Sequence, residues 1–361
     1  MIPFATPKLV IGIAVTMGAI YSADQFLASL EHRELDAQAR HAYSNGVSLL
    51  RDGHNAQASE AFRTARSLDR DNVSFQLALA DALIRDRQPD SAEDALSGIL
   101  DKDSNDGQAN LMMARAMDEQ RRYTSADSFF HRAIYGTWPP NTEGQQINAR
   151  IELVHWLVAR GDQKALLSEL ILLEPLAASD PRIARELPSL FQQAGATSRA
   201  IDAYRRWLQV NPADAEAYAG LGQSEIQSGN FRAARQSFDR AAELKPDNAA
   251  WKQSADVALN AMEMDPTPRW LSSQEKLERS THILALASSM VAACTAAQPE
   301  DSQLLQKAQQ LIGEKKPAVT NEAAEMRLDF AETIWNTRPV SCNQAPETDQ
   351  LLSVLMRKIS Q

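Results

Sequence analysis

Apolar and small residues recur at helical spacing through residues 215–248, in two runs separated by a turn. Tyr218, Leu221 and Ile226 fall on one face of a first helix, Gly229-Asn230 breaks it, and Ala234, Phe238 and Ala241 fall on one face of a second. Small residues at Gly222, Ala234 and Ala241 let the two antiparallel backbones approach, while Tyr218 and Phe238 fill the space between them. One such pair leaves an apolar face uncovered, so copies are expected on both sides.

The copies recur at a pitch of 34 residues. Residues 181–214 repeat the pattern with Leu187, Phe191, Gly195, Ala200, Tyr204 and Pro212, and 147–180 with Leu153, Leu157, Gly161, Leu170 and Leu173. Residues 141–146 interrupt the count. It then resumes through 107–140 (Met113, Ala114, Ala126, Phe130, Ala133), 73–106 (Leu79, Ala80, Ala92, Leu96) and 39–72 (Gly46, Gly53, Ala58, Phe62, Ala65). In the clearest copy, Tyr218, Leu221, Gly222, Ala234, Phe238, Ala241 and Pro246 stand at places 4, 7, 8, 20, 24, 27 and 32, a spacing that resembles the tetratricopeptide repeat. The resemblance covers residues 39–248 and implies an all-α fold, a right-handed α-solenoid of six helix pairs, three in 39–140 and three in 147–248. Departures concentrate in the fourth and fifth units. Pro175 comes three residues early, Trp207 replaces a small residue, and Pro188 predicts a first helix that kinks or starts late.

Residues 249–265, with Trp251, Val257, Leu259 and Met262, read as the helix that caps the last repeat, and Asp265-Pro266-Thr267-Pro268 stops it. Beyond Arg269 the pitch is lost. Ser272 to Glu275 predicts a capped start to a long helix that is apolar nearly all round from Ile283 to Cys294. Further helices are expected at Ser302–Ile312, Asn321–Trp335 and Thr348–Ile359, making 269–361 a C-terminal helical bundle. Aromatic residues at 6% and only 14 glycines agree with a helical chain.

The N-terminal residues 1–30 read differently. Leu9 to Tyr21 is an uncharged run of thirteen, extended to Ala23 before Asp24. Thirteen is short of the ~20 apolar residues of a span and within the range of a secretory signal. The run predicts a membrane anchor through residues 9–23, with Lys8 inside and the repeats exported, facing a periplasm from a bacterial inner membrane. The alternatives are a cleaved signal with a secreted product, and a cytoplasmic protein.

Cys294 and Cys342 are the two cysteines. In an exported protein their pairing would stabilise by about 4 kcal/mol on the chain-entropy estimate; the alternative is two separate buried thiols. The segment Asp101 to Gln108 has the look of a calcium loop, but its glycine is displaced and Met112 stands at the closing position, so it reads as an inter-repeat turn. The six histidines show no metal-ligand spacing, and neither a phosphate-cradling Gly loop nor a Gly-Xaa-Ser-Xaa-Gly elbow occurs. The chain therefore reads as non-enzymatic, without cofactor or metal; His282, Cys294 and Glu325 are the candidates should the C-terminal bundle hold an active site. A net charge of −10 argues against nucleic acid.

The repeat resemblance implies a concave groove lined by the first helices of successive units. Its transferred places give Arg40, Tyr43, Arg51, Leu77, Ile84, Arg85, Met112 and Arg115 as the candidate partner groove, with Ser44, Asp81 and Leu111 beside them. An apolar floor with four guanidinium groups suits carboxylates in a partner peptide or helix, the alternative being that the arginines pair with Asp81, Asp118 and Glu119. The Lys and Asn residues of the carboxylate clamp found in some such repeats are missing from the matching places. The functional expectation is a scaffold or adaptor that binds protein or peptide partners during assembly of envelope complexes.

Overall fold

The computed structural model describes residues 7–140, 142–294, 299–337 and 346–360; the regular elements among them are seventeen α-helices and one 3-10 helix. The chain divides into two compact units, residues 1–156 and 157–361.

The first unit contains α1 (Pro7–Arg51), α2 (Asn55–Leu68), α3 (Val73–Arg85), α4 (Pro89–Leu100), α5 (Gly107–Glu119), α6 (Tyr123–Tyr135) and most of α7 (Glu143–Arg160). Three positions of the 34-residue frame explain these helix pairs. Place 8 holds the small residues Gly46, Ala80 and Ala114, and place 24 of the same repeats the buried Phe62, Leu96 and Phe130. A Cβ on Gly46 would come within 2.6 Å of the Phe62 ring, so the absence of a side chain sets the approach of α1 to α2. At place 15 the chain turns through a left-handed residue, Gly53 with φ 81°, Arg87 with φ 57° and Arg121 with φ 60°. Place 34 then caps the next helix. The Asn72 side chain accepts from the Phe75 N–H at 3.4 Å, and Asp106 Oδ1 from that of Ala109 at 2.8 Å.

The six-residue interruption is partly helical, since it extends α7 at its N-terminus. Before it, Thr137 pairs with the Asp106 turn: Gly107 N–H donates to Thr137 O at 2.8 Å and Thr137 N–H to Asn105 O at 2.7 Å. Trp138 then lies over Gly107, where any side chain would collide with its indole. In the segment Asp101 to Gln108, Asp103 Oδ1 accepts from Asn105 N–H at 2.9 Å and Asp106 caps α5, so these two carboxylates face backbone donors. Among the described residues no group of three His, Cys, Asp or Glu could hold a metal ion.

One expectation is corrected by α1. The apolar run lies in a single 45-residue helix, and no helix among the described residues is long and apolar enough to cross a membrane. Thirteen uncharged residues fall short of the roughly 20 a span needs, and the helix then continues through Asp24, Glu31, Arg33 and Glu34. The inner-membrane anchor through residues 9–23, with repeats facing a periplasm, is withdrawn. Met17, Tyr21, Phe26 and Leu27 are exposed on this helix.

The second unit takes the end of α7, then α8 (Gln163–Leu173), a 3-10 helix (Glu174–Ala178), α9 (Pro181–Gln193), α10 (Thr197–Val210), α11 (Ala215–Gln227), α12 (Phe231–Leu244) and α13 (Ala249–Met264). It continues with α14 (Ser273–Cys294), α15 (Pro299–Ile312), α16 (Asn321–Asn336) and α17 (Pro346–Ile359). The frame holds here too: place 15 is Gly161, Gly195 and Gly229, each with positive φ, and Asp180 and Asp214 cap α9 and α11. Contrary to the expected late start, α9 begins at Pro181, and the helix continues past the buried Pro188 to Gln193. Proline at the first helical position loses no intrahelical bond. Pro188, which has no N–H, cannot donate to Ala184 O.

Ser272 and Glu275 form a reciprocal cap on α14. Glu275 Oε2 accepts from the Ser272 N–H at 2.8 Å and from its hydroxyl at 2.7 Å, while the Glu275 N–H donates to Ser272 Oγ at 3.2 Å. Ile283, Leu284, Ala287 and Val291 of α14 pack with Ala331 and Ile334 of α16 and with Leu352, Leu355 and Met356 of α17. From α17, Lys358 Nζ reaches the repeats. It donates to Gly229 O at 3.0 Å and Asp265 Oδ2 at 2.5 Å, and sits 4.9 Å from the centre of the Phe231 ring. Helix α14 ends at Cys294, whose side chain lies outside the described residues, as does Cys342.

Candidate functional site

The odd-numbered helices of the first unit converge on a channel of about 540 Å³. Tyr43, Val47 and Leu50 come from α1, Leu77, Ala78 and Asp81 from α3, Leu111, Met112 and Arg115 from α5, and Asn148, Ala149 and Glu152 from α7. These stand at places 2 to 12 of their repeats, and helical periodicity turns them to one side. Ser74 and Gln108, at place 2, complete the wall together with Gln145, Phe62 and Trp138.

The floor is held firmly. Tyr43 stacks at a tilt on Phe62 and Phe75, with centroids 5.6 and 5.0 Å apart. Arg115 grips Glu152 through two parallel bonds, Nε to Oε1 and Nη2 to Oε2, both 2.7 Å. That pair raises the Arg115 pKa further above its usual range, with burial opposing and the Asp81 charge assisting. Asp81 in turn accepts from Arg85 Nε at 3.1 Å on both oxygens. Gln108 Nε2 donates to Gln145 Oε1 at 3.0 Å.

Of the eight candidate groove residues, the channel brings together Tyr43, Leu77, Met112 and Arg115. Arg40 and Arg51 are exposed, beside Asp36 at 3.6 Å and Asp52 at 4.0 Å. Ile84 packs half-buried on the hydrophobic core, and Arg85, the last residue of α3, is spent on Asp81. The expected ladder of four guanidinium groups thus reduces to one inside the channel, already neutralised. Sequence reasoning passed over Ser74, Gln108 and Asn148, although place 2 would have found them. Trp138 holds place 32, where Pro212 and Pro246 stand, and Gln145 belongs to the interruption; neither carries a repeat signal. His155 is exposed on α7, and His282 and Glu325 are exposed on α14 and α16.

A tetratricopeptide-repeat family model matches residues 49–116 and 191–255. The peroxisomal targeting signal receptor of Kluyveromyces lactis is 25% identical over 239 residues, 62% of this chain and 41% of that relative, so the match spans less than half of the relative's length. Among solved structures, YrrB, described as a TPR protein with an unusual peptide-binding site, is 18% identical with a TM-score of 0.43, covering 55% of this chain and 99% of its own. The C-terminal part of a TPR protein from Cytophaga hutchinsonii is 11% identical with a TM-score of 0.47, covering 86% and 99%. Over residues 49–116 and 191–255 the family match coincides with the 34-residue pitch and with the contact between places 8 and 24, seen at Gly46 with Phe62 and Gly222 with Phe238: these two stretches are similar to tetratricopeptide repeats.

Proposed function

We propose that the chain is a scaffold or adaptor whose channel between α1, α3, α5 and α7 holds a short segment of a protein partner. The observation that carries this reading is the channel's own neutrality. Its charges are consumed by Arg115 with Glu152 and Arg85 with Asp81, leaving the apolar surfaces of Val47, Leu77, Leu111 and Met112, the Asn148 amide and the carbonyl of the Gln108 side chain, whose Nε2 is bonded to Gln145, to meet a ligand. Apolar side chains seat on the floor, and the amides bond to the segment's backbone. An apolar segment suits this channel better than the acidic one that a row of free arginines would select. The envelope setting rested on the withdrawn anchor and is not part of the proposal.

The test is selection of random peptides displayed on phage against the full chain, followed by fluorescence titration of the enriched peptides. Apolar sequences should emerge, with affinities that change little with salt. Binding should be lost in Met112→Arg and Ala78→Arg while helical circular dichroism is kept, and should survive Arg40→Glu and Arg51→Glu. Peptides that bind Met112→Arg and Ala78→Arg as well as they bind wild type would place the ligand elsewhere and refute the reading.

A further inference from the structure

The second unit contains a cavity that the repeat pattern does not call for. Helix α8 stops at Leu173, and Pro175 directs the chain through the 3-10 helix before α9 begins. Between that short helix, the start of α9 and the end of α10 lies a space of about 710 Å³. Sites for small molecules measure roughly 300–1,000 Å³ and are mostly apolar. Here the wall is Pro175, Ala184, Leu187, Ala203, Trp207 and Val210, the last with 75% of its surface exposed at the rim.

Two features make this a prepared site as well as a packing gap. Trp207 commits its indole N–H to Asp214 Oδ2 at 2.8 Å, which fixes the ring and leaves only its apolar surface for a ligand. At the mouth, Arg206 donates to Glu174 Oε1 at 2.6 Å and Arg199 to Glu174 Oε2 at 2.7 Å. Glu174 thus takes one bond from each of two guanidinium groups, and its charge is shared between them at the edge of the apolar cavity. Arg206 lines that cavity, and the bond to Glu174 uses one of its five N–H donors.

We propose that this cavity binds a small amphiphilic acid: an apolar ring or branched chain seated against Trp207, Leu187 and Pro175, with its anionic group on Arg206. The site is separate from the channel of the proposed function and does not depend on it.

The experiment uses the full chain and two dyes with the same aromatic skeleton, anilinonaphthalene sulfonate and the uncharged N-phenylnaphthylamine. Binding is read at the indole N–H resonance of Trp207, assigned through Trp207→Phe. Both dyes should shift it, the sulfonate binding about fivefold more tightly, as expected of an ion pair at a half-exposed arginine. Arg206→Gln should abolish that preference and leave the neutral dye unaffected. Ala184→Phe, which fills the cavity from a half-buried position, should remove both while helical circular dichroism is kept; Ala177→Phe on the 3-10 helix serves if that variant fails to fold. A resonance that neither dye moves, or that moves equally in the filled variants, overturns the site. Equal affinities that ignore Arg206→Gln overturn its preference for an acid.

Discussion

Gly46 and Gly98 are both helical glycines of the first unit, yet the same substitution should act on them with opposite sign. At Gly46 an added Cβ would lie 2.6, 2.8 and 2.9 Å from three carbons of the Phe62 ring. Ordinary carbon contacts are about 3.5–4.0 Å, so the ring must withdraw by at least roughly 0.9 Å. It has little room, being fully buried and tilted against Tyr43, which is itself stacked on Phe75. Overpacking of this kind costs about 1–3 kcal/mol, while alanine for glycine in a helix returns up to about 1 kcal/mol. Gly46→Ala should therefore destabilise by about 0–2 kcal/mol. At Gly98 a Cβ meets nothing within 4 Å, so Gly98→Ala keeps only the gain and should stabilise by about 0.5–1 kcal/mol. The difference between the two variants, about 1–3 kcal/mol, isolates the contact because the propensity term largely cancels. Urea denaturation followed by far-ultraviolet circular dichroism measures it, with unchanged slopes. Adding Phe62→Leu should cost less in Gly46→Ala than in wild type, since the smaller side chain relieves the clash. If Gly46→Ala proved as stable as Gly98→Ala, α1 and α2 would not meet at this contact, and the account of small residues at place 8 would be wrong.

Four further outcomes are expected. Arg87 and Arg121 hold place 15 with positive φ where four other units have glycine, so Arg87→Gly and Arg121→Gly should each stabilise by about 1 kcal/mol in urea denaturation. Burial and the Asp214 charge push the Tyr204 hydroxyl up to about 12. The folded state then binds more protons than the unfolded chain above the ordinary tyrosine value near 10, so this contribution is intact below about pH 10 and is lost as pH rises towards 12. Denaturation midpoints should fall more steeply across that window for wild type than for Tyr204→Phe, and parallel curves would refute it. Lys358→Met leaves Asp265, only 5% exposed, without its cation; because Lys358 is itself 26% exposed, the loss should be about 2–3 kcal/mol, less than the roughly 3–5 of a fully buried pair, with faster hydrogen exchange in α17. Glu152→Gln should weaken the grip on Arg115 and cost about 1 kcal/mol at this partly exposed pair, an effect that added salt shrinks.

What could be read from the sequence follows from the reach of each interaction. Place 8 meets place 24 and place 15 turns within one repeat, so Gly46 with Phe62, and Gly53, announced the helix pairs at fixed spacing. The channel's position was legible for the same reason: Tyr43, Leu77, Met112 and Arg115 sit at places that helical periodicity turns to one side. Its charge was not. Arg115 is neutralised by Glu152, 37 residues away across the interruption, and pairwise spacing cannot register a partner displaced by an insertion. Trp138 and Gln145 lie outside the repeat frame altogether. In the second unit, Pro175 and Trp207 were visible as departures, but a cavity is a property of the space between three elements. The N-terminal run is thirteen uncharged residues, short of the roughly 20 of a span, and the charged remainder of α1 does not lengthen it.

Lys358 lies 129 residues from the glycine whose carbonyl it holds, whereas the pairing of helices within each repeat closes over a few tens of residues. On the ribosome the helices of the first unit can pair as soon as they emerge, since each closes a short loop. The sixth repeat cannot finish in that order. Until Lys358 leaves the exit tunnel, the Asp265 carboxylate lacks its ammonium partner and the Phe231 ring has no ammonium over it, so the emergence of α17, rather than of the repeat itself, completes this part of the molecule. A chain that stops before Lys358 would keep residues 39–248 and lose that closure.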